Sequence, residues 1–136
     1  MQLTPYLNFS GNCEEAFKFY EQCLGGKIVA MIVHASTPAE ALVPPERRDK
    51  IMHARLQVGD ATLMGSDNPP EYAKAMQGMY VFLNTENTAE AERVFHALAE
   101  GGDIKMPIEE TFWALRFGIV VDRFGTPWMV NCQNAG

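Results

Sequence analysis

The feature that most constrains the fold of this chain is an internal repeat. A helix-capping Asn, a Glu three residues later and two apolar helix positions occur in the first half, at Asn12, Glu15, Ala16 and Tyr20. The same pattern returns 75 positions later, at Asn87, Glu90, Ala91 and Phe95. Cap, acidic third position and apolar spacing are together typical of a helix start. One offset through all four positions indicates that the chain repeats a structural unit.

The segments around the two predicted helices also match in order. Strand-like composition precedes each helix, in LTPYLNFSG and in GMYVFLNTE. Three strand-like segments follow the first helix (KIVAMIVH, IMHARLQVG and ATLMGSD), and three follow the second (DIKMPIEETFW, ALRFGIVVD and TPWMVNC). The predicted fold class is therefore α+β, with two tandem β-α-β-β-β modules. We expect a single domain over residues 1–136, with module one at 1–67, a linker at 68–77 and module two at 78–136.

Composition excludes several classes of protein. The chain has 136 residues and a formal net charge of −6, which disfavours binding to nucleic acid because phosphates require a basic surface. No apolar run reaches the length of a membrane-spanning helix. The three cysteines are odd in number and have no metal-site spacing, so reduced thiols are expected. These features predict a cytoplasmic protein with no nucleic-acid or membrane partner.

Three stretches of the chain resemble a known family. They are PYLNFSGNCEEAFKFYEQCLGG, MHARLQVGDATLMGSD and ETFWALRFGIVVDRFGTPWMVN, with TFW…DRFGTPW the most specific part. They resemble the PhnB-like branch of the vicinal oxygen chelate superfamily, which includes glyoxalase I and the bleomycin- and fosfomycin-resistance proteins. The resemblance implies that each module forms a curved mixed sheet with its helix on the convex side. It also implies a cup made by the two modules, usually completed in a homodimer.

The resemblance also locates the positions where metal-dependent members of the superfamily hold an ion. There is one on the first and one on the fourth strand of each module, here Thr4 (or Pro5), Met64, Tyr80 and Met129. A thioether, a neutral phenol or a proline is not a standard ligand for the divalent ions of this superfamily, which are bound by imidazole and carboxylate. We therefore expect no metal at these positions, no cofactor, and an apolar or mixed pocket.

Chemistry is most concentrated in the segment IMHARLQV. Strand alternation places His53, Arg55 and Gln57 on one face and apolar residues on the other. His53 is the candidate catalytic acid or base, and Arg55 is a candidate anchor for an anion. The alternative for His53 is a structural hydrogen bond to backbone or to Asp67. Asp67 and Asp122 each follow a strand, and we predict that both form turns.

The leading hypothesis is a metal-free protein that binds a small, partly aromatic or anionic ligand. The predicted ligand-binding residues are Tyr6, Arg55, Met64, Tyr80, Trp113 and Met129. One alternative is a lyase or isomerase that uses His53, or a divalent ion bound away from the usual positions, for example by His53 and Asp67. Another is a structural or regulatory dimer with a filled cup.

A methyltransferase, the activity in the label of some PhnB-like proteins, is the least favoured alternative. No Gly-rich nucleotide-binding turn follows the first strand. The residues do not identify the ligand, and they leave open whether the protein is an enzyme. They also leave open the role of the long connection at residues 35–50.

Overall fold

The computed structural model describes residues 1–72 and 74–133, with Ser36 described by its backbone. The chain divides into two compact units, Met1–Lys74 and Ala75–Gly136. The first unit contains module one: β1 (Tyr6–Phe9), α1 (Cys13–Leu24), β2 (Lys27–Val33), β3 (Ile51–Val58) and β4 (Ala61–Asp67). The second contains module two: β5 (Val81–Thr85), α2 (Thr88–Ala99), β6 (Asp103–Glu109), β7 (Arg116–Val121) and β8 (Pro127–Cys132).

Each module is one four-stranded mixed sheet covered by one helix. The strand order is β1-β4-β3-β2 in module one and β5-β8-β7-β6 in module two. The first and last strand of each module pair in parallel, and the other pairs are antiparallel. The predicted fold class, two α+β modules of the order β-α-β-β-β, is confirmed.

The two faces of each sheet differ because successive strand residues point to opposite sides. In module one, Leu7, Ala54 and Leu56 are buried on the face that packs against α1. The other face, called here the open face of module one, carries Tyr6, Asn8, His53, Arg55, Met64 and Ser66. The open face of module two carries Phe82, Asn84, Phe117, Ile119, Met129 and Asn131.

The helices lie close to their sheets because glycines face them. A Cβ atom at Gly65 would lie 2.7 Å from Phe17 Cε1 of α1, and one at Gly118 would lie 2.7 Å from Phe95 Cε2 of α2. Real Cβ atoms do not approach that closely, so a larger residue would displace the helix ring. Each module thus uses one strand glycine to seat a helix phenylalanine.

The connection between β2 and β3 is a long loop whose two ends are hydrogen-bonded to each other. It contains the short 3₁₀ helices His34–Ser36, Pro38–Leu42 and Pro45–Arg47. Its two ends are joined by hydrogen bonds from Ala35 N to Arg48 O, at 2.9 Å, and from His34 N to Lys50 O, at 3.3 Å. A fourth 3₁₀ helix, Pro70–Tyr72, follows β4. Within the described residues, no helix combines the length and the apolar character needed to span a membrane.

The two helices begin differently, although the sequence predicts the same Asn cap for both. Asn87 Oδ1 accepts a hydrogen bond from Glu90 N at 2.8 Å, so the prediction for α2 is confirmed. The prediction for α1 is wrong, because the side chain of Asn12 makes no capping hydrogen bond. The backbone N–H groups at the start of α1 are instead bound by the carboxylate of Asp67, at the end of β4. Asp67 Oδ1 accepts hydrogen bonds from Gly11 N at 2.9 Å and Cys13 N at 3.0 Å.

Asp67 also binds a third segment. Its Oδ2 accepts a hydrogen bond from Ile51 N, the first residue of β3, at 2.9 Å. The residue is only 6% exposed, which leaves little water to bind its carboxylate. The three N–H groups and the amino end of α1 take the place of that water. One carboxylate therefore joins the end of β4, the start of α1 and the start of β3.

Asp122 has the comparable role in module two. Its Oδ1 accepts hydrogen bonds from Phe124 N at 2.8 Å and Thr126 N at 3.1 Å, which closes the turn between β7 and β8. Its Oδ2 accepts one from the indole Nε1 of Trp128 at 2.8 Å. Trp128 is fully buried, so it is a core residue and not part of a ligand-binding surface.

Replacing Asp67 with Asn should destabilise the fold by about 2–4 kcal/mol, because the amide keeps one acceptor oxygen but loses the charge that binds three N–H groups. Urea unfolding would measure this free energy. Asp60→Asn, in the exposed turn between β3 and β4, is the matched control and should change the free energy by less than about 0.5 kcal/mol. Equal stabilities for the two variants would contradict the anchoring role of Asp67.

Candidate functional site

His53 and Arg55 lie on the open face of module one, as the alternation of β3 predicts. Arg55 is paired with Met64 on β4, and Met64 is paired in turn with Tyr6 on β1. The Tyr6 hydroxyl lies 3.4 Å from His53 Nδ1, and the two rings stack with centroids 5.9 Å apart. The structure thus brings Tyr6, His53, Arg55 and Met64 together on one surface.

This surface is cationic, although the whole chain is acidic. Lys27 on β2 pairs with Gln57, two residues from Arg55, on the same face of the sheet. The strands of module one contain a single carboxylate, Asp67, and it faces α1. Among the described residues, Arg55 has no hydrogen-bond or ion-pair partner, and its side chain is exposed. The open face of module one therefore offers positive charge and hydrogen-bond donors to an anion.

A metal site shared by His53 and Asp67 is not formed. His53 is on the open face, whereas Asp67 lies on the helix-covered face with both oxygens bound to backbone N–H groups. Across the described ranges, no three side chains of His, Cys, Asp or Glu gather in a way that could hold a metal ion. Asp67 is thus a structural residue.

The four positions that the resemblance assigns to metal ligands are also unsuited to a divalent ion. Met64 and Met129 occupy equivalent central places, on the last strands of their modules. Met129 lies between Phe82 and Ile119, and Met64 between Tyr6 and Arg55. Thr4 and Tyr80 precede the first strands of the two modules. Two thioethers, a hydroxyl and a phenol do not fit a divalent ion that prefers imidazole and carboxylate.

The open face of module two is aromatic. The ring of Trp113 packs edge-on against that of Phe117 with centroids 5.4 Å apart. Its backbone is held by Thr111 Oγ1, which accepts hydrogen bonds from Trp113 N at 3.3 Å and Ala114 N at 3.1 Å. Phe82 is 55% exposed and Tyr80, just before β5, is 46% exposed. Trp113 and Met129, predicted to bind ligand, therefore both belong to this side of module two.

Sequence reasoning missed an amide pair on the same face. Asn131 on β8 is 4% exposed and donates from Nδ2 to Asn84 Oδ1 on β5 at 2.9 Å. The two residues are neighbours because β5 and β8 pair in parallel, with Asn84 opposite Asn131. Strand alternation places each residue on the open face, since Asn131 is two residues from Met129 and Asn84 is two residues from Phe82, but it does not show that the two side chains pair.

Comparison with known proteins identifies the family. Residues 1–131 match the family model described as 3-demethylubiquinone-9 3-methyltransferase, and the chain belongs to this family. It is 35% identical to Protein YjdN of Escherichia coli, over 96% of this chain and 95% of that protein. Methyltransferase is here the name of the family model and establishes no activity.

Solved structures agree with this assignment. Protein PA1353 from Pseudomonas aeruginosa is 51% identical with a TM-score of 0.89, covering 98% of both chains. A putative 3-demethylubiquinone-9 3-methyltransferase, PhnB protein, from Bacillus cereus is 25% identical with a TM-score of 0.81, covering 97% of this chain and 99% of that one. A glyoxylase/bleomycin resistance protein/dioxygenase domain from Frankia, 10% identical over 98% of this chain and 95% of that one with a TM-score of 0.66, shares the fold. The chain is therefore a PhnB-like protein with the fold of the vicinal oxygen chelate superfamily.

The cysteines are not part of either open face. Cys13, Cys23 and Cys132 are buried and form no disulfide. Burial raises the pKa of the Cys13 thiol far above its ordinary value, and the nearby carboxylates of Asp67 and Glu14 raise it further. A raised thiol pKa keeps the sulfur protonated up to a higher pH, so Cys13 lacks the thiolate that reacts as a nucleophile.

All three thiols should therefore be protected in the native protein. Titration with a disulfide reagent such as DTNB at pH 8 should label none of them within minutes, and all three once the protein is unfolded in guanidinium. Rapid labelling of Cys13 in the folded protein would show that its buried, protonated state has been assigned wrongly.

Proposed function

We propose that this PhnB-like protein binds a small organic anion on the open face of module one, without a metal at the four positions used by metal-dependent relatives. The observation that carries the proposal is the charge distribution. The chain has a net charge of −6, yet Lys27 and Arg55 share a sheet face on which the strands place no carboxylate. Such a local field attracts anions to one part of an acidic molecule.

Arg55 is the proposed anchor. Its guanidinium presents donors in a planar fork, which matches the two oxygens of a carboxylate or phosphoryl group. Because no described residue pairs with it, binding an anion breaks no existing ion pair. Met64 and Tyr6 beside it supply apolar surface for the organic part of the ligand.

His53 is proposed to donate a hydrogen bond to the same ligand. When the Tyr6 hydroxyl donates to Nδ1, a neutral imidazole carries its proton on Nε2. The face then presents an N–H group from His53 in addition to the Arg55 guanidinium. On module two, Tyr80, Trp113 and Met129 are proposed as apolar contacts for an aromatic group, because they lie on or next to its aromatic open face.

A lyase or isomerase is the second candidate, and the contact between Tyr6 and His53 is the observation that favours it. A phenol beside an imidazole can orient the ring that moves a proton. His53→Ala separates the two candidates once a ligand is known: an enzyme loses turnover, whereas a binding protein changes only its affinity. The homodimer and the cytoplasmic location expected from the sequence stay predictions, and light scattering at micromolar concentration tests the first.

The anion site can be tested with 2-naphthalenesulfonate, an aromatic anion. Arg55→Gln should weaken its binding about tenfold, the effect of losing one charge-assisted hydrogen bond worth ~1.4 kcal/mol. Equilibrium dialysis at two salt concentrations would measure this, and binding to the unchanged protein should weaken as salt rises.

Lys18→Gln is the matched control for the loss of a positive charge. Lys18 lies on the exposed side of α1 and is paired with Glu14 at 2.8 Å. This variant should bind the sulfonate as the unchanged protein does. Identical affinities for Arg55→Gln and Lys18→Gln would refute the proposed anion site.

A further inference from the structure

We infer that the neck of the β2–β3 loop binds a phosphate group, which pairs with Arg47, Arg48 and His34 and holds the two ends of the loop together. The neck is defined here as His34 and Ala35, which follow β2, and Arg47, Arg48 and Lys50, which precede β3. These residues lie outside the strands that form the two open faces. The inference therefore concerns a different site from the anion site proposed on the open face of module one.

Three side-chain nitrogen atoms of the neck are buried without a hydrogen-bond partner. In the described part of the chain, these atoms are His34 Nδ1, Arg47 Nη2 and Arg48 Nε. Two of them belong to guanidinium groups, which stay protonated in proteins. Leaving a buried donor unpaired is costly, and more so when it is charged, so binding an acceptor there is favourable. An anion is a better acceptor than a neutral group, because hydrogen bonds between opposite charges are stronger.

Backbone hydrogen bonds bring these residues together from the two ends of the loop. Ala35 N donates to Arg48 O at 2.9 Å, and His34 N donates to Lys50 O at 3.3 Å. The two arginines are consecutive, and Arg47 is the last residue of the 3₁₀ helix Pro45–Arg47. His34 donates from Nδ1 when that nitrogen carries the ring proton. An anion bound to His34 and to the arginines therefore contacts both ends of the loop.

The neighbouring carboxylates do not neutralise the arginines. Glu46 and Asp49 flank them in sequence and are exposed. The ion pairs formed by the described residues include neither Arg47 nor Arg48. A guanidinium presents several N–H groups in one plane, which match the oxygens of a phosphoryl group. Phosphate also has more acceptor oxygens than a carboxylate, so one ion can accept hydrogen bonds from all three residues.

Binding at the neck should be coupled to closure of the loop. Because the three nitrogen atoms are buried, an ion reaches them when the neck opens and is enclosed when its backbone hydrogen bonds form again. A ligand that binds one of two states stabilises that state. Phosphate should therefore make opening of the neck less frequent, and amide hydrogen exchange of His34 and Ala35 reports this opening.

The test measures exchange of these two amides by NMR in inorganic phosphate and in sodium chloride of equal ionic strength. Phosphate at about 10 mM should slow their exchange about three- to tenfold relative to chloride. Sodium acetate should slow it less, because a carboxylate has fewer acceptor oxygens. Glycerol 3-phosphate is the second probe. Protection by inorganic phosphate alone identifies the free ion as the ligand, and protection by both identifies the phosphoryl group of a larger molecule.

Substitutions locate the bound phosphate. Arg48→Gln removes a charge and the buried Nε donor, so phosphate should change exchange in this variant less than about twofold. Lys74→Gln removes an exposed positive charge outside the neck and is the control, in which the full effect of phosphate should remain. If the neck amides of Arg48→Gln exchange too fast to follow, Arg47→Gln decides by the same comparison.

Three outcomes overturn the inference. Equal exchange in phosphate and chloride would show that no phosphate binds at the neck, and equal slowing by phosphate and acetate would show that the neck does not select a phosphoryl group. An effect of phosphate that is lost in Arg55→Gln and kept in Arg48→Gln would place the ion on the open face of module one. Failure of Arg55 to bind the sulfonate, by contrast, would refute the proposed function and leave this inference standing.

Discussion

The carboxylate of Asp67 is the interaction on which module one depends. It is buried, and it binds backbone N–H groups from the segment before α1, the first residue of α1 and the first residue of β3. Each of these groups would otherwise be an unpaired donor at the end of an element. Because both oxygens are occupied, Asp67 is also removed from the residues available for acid–base chemistry or for holding a metal. Asp67 therefore contributes no free carboxylate to the open face of module one.

Module two has the same topology but different polar anchors. Its helix is capped locally by Asn87, and its buried aspartate, Asp122, closes a hairpin turn and binds the indole of Trp128. The duplicated unit has thus kept the strand order and the glycine that seats the helix, at Gly65 and Gly118. The side chains that satisfy buried donors have diverged. The residues on the two open faces differ as well.

The sequence predicts the fold because helical spacing and strand alternation are local patterns that occur in both modules. Helical spacing and strand alternation locate α1, α2 and the eight strands, and the alternation of β3 separates His53 and Arg55 from Ala54 and Leu56. The Asn12 cap is mispredicted because the true capping contact is not local. The residue that caps α1 lies 56 positions from Gly11, and no local pattern identifies it.

The Asn84–Asn131 pair depends on the parallel register of β5 and β8, whose bonded residues are 47 positions apart. A pattern in either strand alone does not show it. Local patterns therefore predict which face a residue lies on, whereas the partners of polar side chains depend on contacts between distant segments.

Met64 and Met129 show that the same backbone arrangement presents different side chains in the two modules. They occupy equivalent central positions, each between a residue of the first strand and one of the neighbouring antiparallel strand. A thioether at both places makes the centre of each face soft and apolar, so the two faces differ chemically through the residues that flank the methionine. Around Met64 they are Tyr6 and Arg55, which add a hydroxyl and a charge. Around Met129 they are Phe82 and Ile119, which add only apolar surface, and the nearest polar groups are the amides of Asn84 and Asn131. With methionine at both central positions, the chemical difference between the two open faces lies in the flanking side chains.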